Sequence, residues 1–145
     1  MSVGEGGWQP RCRIELAEVL REGRLAGLEI GAPADQVEAT LGPPQAPAAK
    51  LSKRSKLWSW LYGNVTVLTA ARRVEAIEID FEGQQPALVE AGALAEWSLD
   101  DWRAHAQREG WTITSRDGIT TLESPQARVG LDADGRLHVV GLRGR

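Results

Sequence analysis

The stretch from Leu57 to Phe81 constrains this chain most, because it can bury its apolar residues only as a three-strand meander. Leu57–Tyr62 and Val65–Thr69 are rich in aromatic and β-branched residues, and Gly63-Asn64 between them fits a two-residue hairpin turn. Glycine in the first turn position favours the II′ form. Arg73–Phe81 reads as the third strand, closed by Glu82-Gly83. The first turn sets Tyr62 opposite Val65, Trp60 opposite Val67 and Trp58 opposite Thr69. Two lengths compete for the second turn. A two-residue loop turns Ile77 and Ile79 away from Trp60 and Val67. A three-residue loop (Ala70, Ala71, Arg72) sets Val65 opposite Ile77 and Val67 opposite Glu75. A one-residue slip moves every side chain to the other face, so the three-residue loop is expected. The predicted core face is then Trp58, Trp60, Tyr62, Val65, Val67, Ile77, Ile79 and Phe81.

Residues 1–13 are glycine-rich at their start and read as a loose segment. Leu16, Val19 and Leu20 make a helical stripe within 14–25, where Gly23 is a stop. Pro33 to Leu41 reads as a second helix, with Val37 and Leu41 four apart and Gly42-Pro43-Pro44 ending it. Residues 83–97 form a connection. Ser98-Leu99-Asp100-Asp101 is a capping-box start for a helix running to Glu109, with Leu99, Trp102 and Ala106 on one face. Strands follow at 111–115, 119–123, 128–132 and 136–142, the first and last hairpins marked by Asp117-Gly118 and Asp134-Gly135. The expected fold is α+β: two units, 14–82 and 98–145, each helical first and then an antiparallel meander. The tandem units would share one twisted sheet with helices on one face, in one domain overall. The other face would be open to water or to a partner.

Composition narrows what such a domain can do. One cysteine, Cys12, excludes an internal disulfide, and two histidines 33 positions apart, His105 and His138, argue against a metal centre. A net charge of −3, from 17 basic and 20 acidic residues, gives no general attraction to nucleic acid or anionic membrane. Nothing in the sequence reads as a secretory signal or membrane span, so a cytoplasmic location is expected. No cofactor is implied. Neither histidine has an evident catalytic partner, and no nucleophile-elbow, zincin or Walker motif is present, so the chain reads as a non-enzyme. His105 is placed on the exposed side of its helix. Cys12 lies between two arginines but has no histidine near it in sequence. Lys50, Lys53, Arg54 and Lys56 make a basic loop without a phosphate-cradling glycine run or stacking aromatics, which reads as solvated. Of the six tryptophans, Trp58, Trp60, Trp102 and Trp111 are assigned to the core. Trp97 is a hydrophobic staple onto Trp102, and Trp8 has no structural role.

Gly27-Leu28-Glu29-Ile30-Gly31 through Val37, Leu41 and Gly42-Pro43-Pro44 resembles the opening G-x-s-x-x-x-V-x-x-x-L-G-x-P of SmpA/OmlA lipoproteins and of beta-lactamase-inhibitor-protein repeats. Trp58-Ser59-Trp60-Leu61-Tyr62-Gly63 is similar to the W-x-Y-G strand that those folds place next. The pairing also resembles small cytosolic bacterial proteins of the immunity type, encoded beside toxins. The resemblance covers residues 14–82, and reaches 98–142 only in the order of elements. The chain departs from these families in lacking a lipid-attachment signal and paired cysteines. What the resemblance implies is an open sheet face that binds another protein, here a cognate toxin.

The third strand alternates Glu78, Asp80 and Glu82 on the face expected to point outward, together with Leu57, Leu61, Leu68, Val74 and Ala76. Carboxylates beside exposed leucines suit a basic cleft on a protein partner. A merely solvated strand face is the plainer reading of the same acids. Leu57, Leu61, Leu68, Glu78, Asp80 and Glu82 are therefore the expected partner-binding residues of an inhibitor that acts by occlusion. The alternative is a ligand-binding or regulatory domain with a pocket between helices and sheet around Trp60 and Trp102. A filled core with a flat acidic face favours the inhibitor, and an enclosed apolar pocket favours the ligand.

Overall fold

A computed structural model describes residues 8–83 and 86–143. β1 (Ile14–Glu15) runs straight into α1 (Leu16–Glu22), and α2 (Asp35–Leu41) follows. The first meander comprises β2 (Ala49–Lys50), β3 (Trp58–Tyr62), β4 (Val65–Ala70) and β5 (Arg73–Asp80). A short β6 (Val89–Glu90) and a 3₁₀ turn over Gly92–Glu96 lead to α3 (Leu99–Glu109). The chain then forms β7 (Thr112–Arg116), β8 (Ile119–Glu123), β9 (Ala127–Leu131) and β10 (Leu137–Leu142). Eight strands make one antiparallel sheet in the order β2-β3-β4-β5-β10-β9-β8-β7, so the fold is α+β. Read outward from the β5–β10 pair, the order is two runs of sequential neighbours, β5 to β2 and β10 to β7.

The meander keeps its expected apolar face by a different device. The second turn has two residues, Ala71 and Arg72, both left-handed at φ 51° and 64°. That loop alone would turn the isoleucines outward. A bulge restores the face: Thr69 pairs with Val74 while Leu68 pairs with Ala76, leaving Glu75 as the extra residue. Val65 therefore lies opposite Ile79, and Val67 opposite Ile77, a two-residue offset from the expected pairing. All four are fully buried. Val74, expected outside, falls on the inner side of the bulge and is only 1% exposed. At the meander's edges Trp58 is 43% exposed, and Phe81 is half-buried against the core.

Gly63 turns the first hairpin at φ 60°, as the first position of a II′ turn requires. It is also pressed against the chain's own backbone, since a Cβ there would lie 1.9 Å from the Pro86 carbonyl oxygen. The next residue, Asn64, holds the same connection through its side chain. Its Oδ1 accepts from the N–H groups of Leu88 (2.9 Å) and Val89 (3.2 Å), and its Nδ2 donates to the Val89 carbonyl (2.9 Å).

Helix ends follow tertiary pairing more than propensity. Ile14 and Glu15 leave the expected helix because they pair in parallel with Val89 and Glu90, the Ile14 N–H donating to the Leu88 carbonyl at 2.9 Å. α1 then buries Leu16, Val19 and Leu20, each worth about 1.5–3 kcal/mol of transfer free energy, and Gly23 closes it in a left-handed C-cap. Pro33 precedes α2 rather than opening it, because residues 31–34 bond along the start of β5: Gly31 N–H to Val74 O, Val74 N–H to Ala32 O, and Ala34 N–H to Arg72 O. α3 has the expected capping box, Ser98 Oγ accepting from Asp101 N–H and Asp101 Oδ2 from Ser98 N–H. Trp97 packs edge-on to Trp102 with ring centroids 4.7 Å apart, the expected staple.

Trp8 does have a structural role. Its Nε1 donates to the Pro43 carbonyl (2.9 Å) and its ring lies edge-on to Tyr62 at 6.2 Å. Tyr62 is itself buried, with its hydroxyl donating to the Gly42 carbonyl (2.9 Å). The glycine-rich residues 1–7 lie outside the described residues. Among the described residues no helix is long and apolar enough to cross a membrane.

Candidate functional site

Strand pairing puts most of the expected binding residues on the sheet face opposite Val65, Val67, Ile77 and Ile79. One row crosses the sheet through Leu61, Thr66, Glu78, Gly141, Arg128 and Glu123. The next runs through Asp80, Val139, Gly130 and Thr121, and a third joins Leu68 to Ala76. Leu61 is 37% exposed, Leu68 is half-buried, and Glu78 and Asp80 are exposed. Glu82 follows the end of β5, its N–H donating to Asp80 Oδ1 at 2.9 Å. Leu57 lies one residue before β3, half-buried, its carbonyl accepting from Leu51 N–H at 3.1 Å. The structure thus brings Leu61, Leu68, Glu78 and Asp80 onto one surface, with Glu82 and Leu57 at its ends.

Charge is unevenly distributed over this face. On the β8–β9 side Glu123 takes Arg143 at 2.8 Å and Arg128 at 3.6 Å, so that group of three carries a net single positive charge. On β5, Glu78 and Asp80 have no cation within 4.0 Å among the described residues. His138, at the irregular start of β10, brings Nδ1 to 2.9 Å from Glu82 Oε2, although the angles do not make a hydrogen bond. Between the two charge regions, Gly141 and Gly130 leave the surface low. Val139 leans over Gly130, its Cγ1 3.0 Å from where a Cβ would sit. The second run of strands adds an exposed Ile119 (42%).

No family model, curated protein or solved structure matches the chain.

Sequence reasoning identified the acids and leucines of β3–β5 but missed Val139, Gly130, Gly141 and Ile119. Alternation within β8–β10 marks these as outward residues. Only the β5–β10 pairing, which joins segments more than 55 residues apart, places them beside Glu78. The pocket expected around Trp60 and Trp102 does not join those two residues. Trp60 is half-buried against the core and donates from Nε1 to Thr69 Oγ1 at 3.1 Å. Trp102 is fully buried and lines a surface cleft of about 580 Å³ with Trp97, His105 and Trp111. His105, expected on the exposed side of α3, sits between Trp97 (5.3 Å) and Trp111 (5.0 Å), half-buried. The basic stretch forms the edge strand β2 at Lys50 and leaves Lys53, Arg54 and Lys56 exposed. Among the described residues no three His, Cys, Asp or Glu side chains are grouped to hold a metal ion. Cys12 is exposed and free.

Proposed function

We propose that this chain is a protein-binding inhibitor, an immunity protein of the cytoplasm that occludes a cognate bacterial toxin with the outer face of its sheet. It acts by occupancy rather than catalysis. The observation that carries the reading is the pair of carboxylates Glu78 and Asp80, without a cation within 4.0 Å among the described residues, on the same antiparallel face as Leu61 and Leu68. Apolar patches rimmed by polar residues mark partner surfaces, and acids without a neighbouring cation raise the encounter rate with a basic cleft. The scale is also suitable. Eight strands at about 4.8 Å spacing and five residues at about 3.4 Å give roughly 600 Å² of projected face. A standard interface buries about 800 Å² per partner, so side-chain relief brings the face into range. The resemblance to immunity-type and beta-lactamase-inhibitor-like proteins points the same way. In this reading the three helices all back the opposite face, and β2–β5 and β7–β10 are tandem halves of one twisted sheet.

The test is co-expression with the product of the adjacent gene. A one-to-one complex that restores growth to cells expressing that product supports the proposal. A toxic product that neither binds nor is neutralised would refute it.

A further inference from the structure

We propose that the cleft between α1, the 3₁₀ turn and α3 binds a small planar aromatic carboxylate. At about 580 Å³ it is in the range of small-molecule sites, roughly 300–1,000 Å³. None of its lining residues belongs to the outer sheet face. Its walls are unusually aromatic for a chain with eight Phe, Trp and Tyr residues in all: Trp97, Trp102 and Trp111, with His105 among them. The contacts within this group are edge-to-face or tilted, at 68° for Trp97–Trp102, 58° for Trp97–His105 and 88° for His105–Trp111. Trp102 is sealed into the core, whereas Trp97, His105 and Trp111 are only partly buried, so these three offer ring surface to a planar guest.

Two features select the guest's charge and polarity. Arg21 from α1 and Arg108 from α3 line the cleft against one carboxylate, Glu109. Arg108 has no carboxylate within 4.0 Å among the described residues, and Arg21 has only the exposed Glu22 at 3.8 Å. A free guanidinium fork matches a carboxylate in two parallel hydrogen bonds. A cationic guest, which bare tryptophan faces would otherwise suit, meets two arginines instead. The second feature is Trp102, fully buried, whose indole N–H has no acceptor among the described residues. A donor stranded in this way is destabilising, and since Trp102 is sealed from solvent a guest's oxygen would reach it only with a shift of the cleft wall.

The six tryptophans make the test specific, since Trp97, Trp102 and Trp111 line the cleft while Trp8, Trp58 and Trp60 do not. ¹⁵N-labelled full-length protein is titrated with 2-naphthoate, and the indole N–H signals are followed by NMR. Saturable shifts confined to the three cleft tryptophans are expected. Arg108→Glu should weaken binding at least tenfold with an unchanged melting temperature, and Arg108→Gln should weaken it less. 2-Naphthylmethylammonium should bind at least tenfold more weakly than the carboxylate. No shift, equal shifts at all six indoles, an ammonium that binds as well, or an Arg108→Glu protein that binds normally would each overturn the proposal. So would loss of naphthoate binding in Glu78→Lys/Asp80→Lys, which would place the guest on the sheet face.

Discussion

Replacing Asn64 with alanine should destabilise the fold far more than a turn substitution normally does. The side chain takes two N–H groups and one carbonyl from Leu88 and Val89, both fully buried. Alanine leaves all three without partners. At the low end of the cost of an unsatisfied buried group, about 1 kcal/mol each, the loss is about 3 kcal/mol. For a chain of this size each kcal/mol moves Tm by about 2–4 °C, so Tm should fall by about 6–12 °C. Calorimetry measures the shift, and amide exchange locates it: Leu88 and Val89 should lose protection before Val67 and Ile77. Asn64→Asp adds a control of sign. An ionised carboxylate keeps the acceptor but faces the Val89 carbonyl without a proton to donate. The protonated acid regains that donor, so the Tm deficit relative to wild type should narrow as pH falls through the carboxyl range. A Tm within about 2 °C of wild type for Asn64→Ala, with unchanged exchange at Leu88 and Val89, would refute the reasoning.

Other consequences are as direct. Burial, with Glu38 adding to it, pushes the Tyr62 phenol up to about 12. An unfolded tyrosine titrates near 10, so its contribution to stability is complete below about pH 10 and is lost as pH rises from there through about 12. Urea melts should show a decline of about 2 kcal/mol over that window, and Tyr62→Phe should lack it while costing about 1 kcal/mol at pH 7. At the second hairpin, Ala71→Asn with Arg72→Gly supplies residues suited to two consecutive left-handed positions. That pair should raise stability by about 1 kcal/mol, seen as a Tm increase of about 2–4 °C.

What the sequence conveyed, and what it withheld, follows from the range of each interaction. Parity of the meander was legible because only one choice puts Val65 and Val67 with Ile77 and Ile79. The device was not. An extra residue in the turn and an extra residue in the ladder, Glu75, restore the same alternation, so period two cannot separate them. The α3 capping box and the Trp97–Trp102 staple were legible because their partners lie within five positions. The Asn64 lock was hidden, since a Gly-Asn turn already explains both residues without Leu88 and Val89. Ile14 left its helix for a strand 75 residues away, which no local pattern signals. At the candidate face, Glu78 and Asp80 were visible as alternating acids, whereas the pairing of Arg128 and Arg143 with Glu123, and the lack of a cation beside the two acids among the described residues, are set by contacts across the sheet. His105 was misplaced for a similar reason: the helical stripe gave its angle on α3 but not Trp111 folding back beside it.

The central claim, that the outer sheet face binds a protein through Glu78 and Asp80, is tested most directly by calorimetric titration of the adjacent gene's product. Wild type and Glu78→Lys/Asp80→Lys are compared at low and at physiological salt. Both side chains are exposed and have no ion-pair partner among the described residues, and Asp80 gives up only an exposed bond from the Glu82 N–H, so the double variant should melt within about 2 °C of wild type. It should bind at least a hundredfold more weakly, a loss of about 3 kcal/mol, and wild-type affinity should fall as salt rises. A folded double variant whose Kd stays within threefold of wild type would contradict the account.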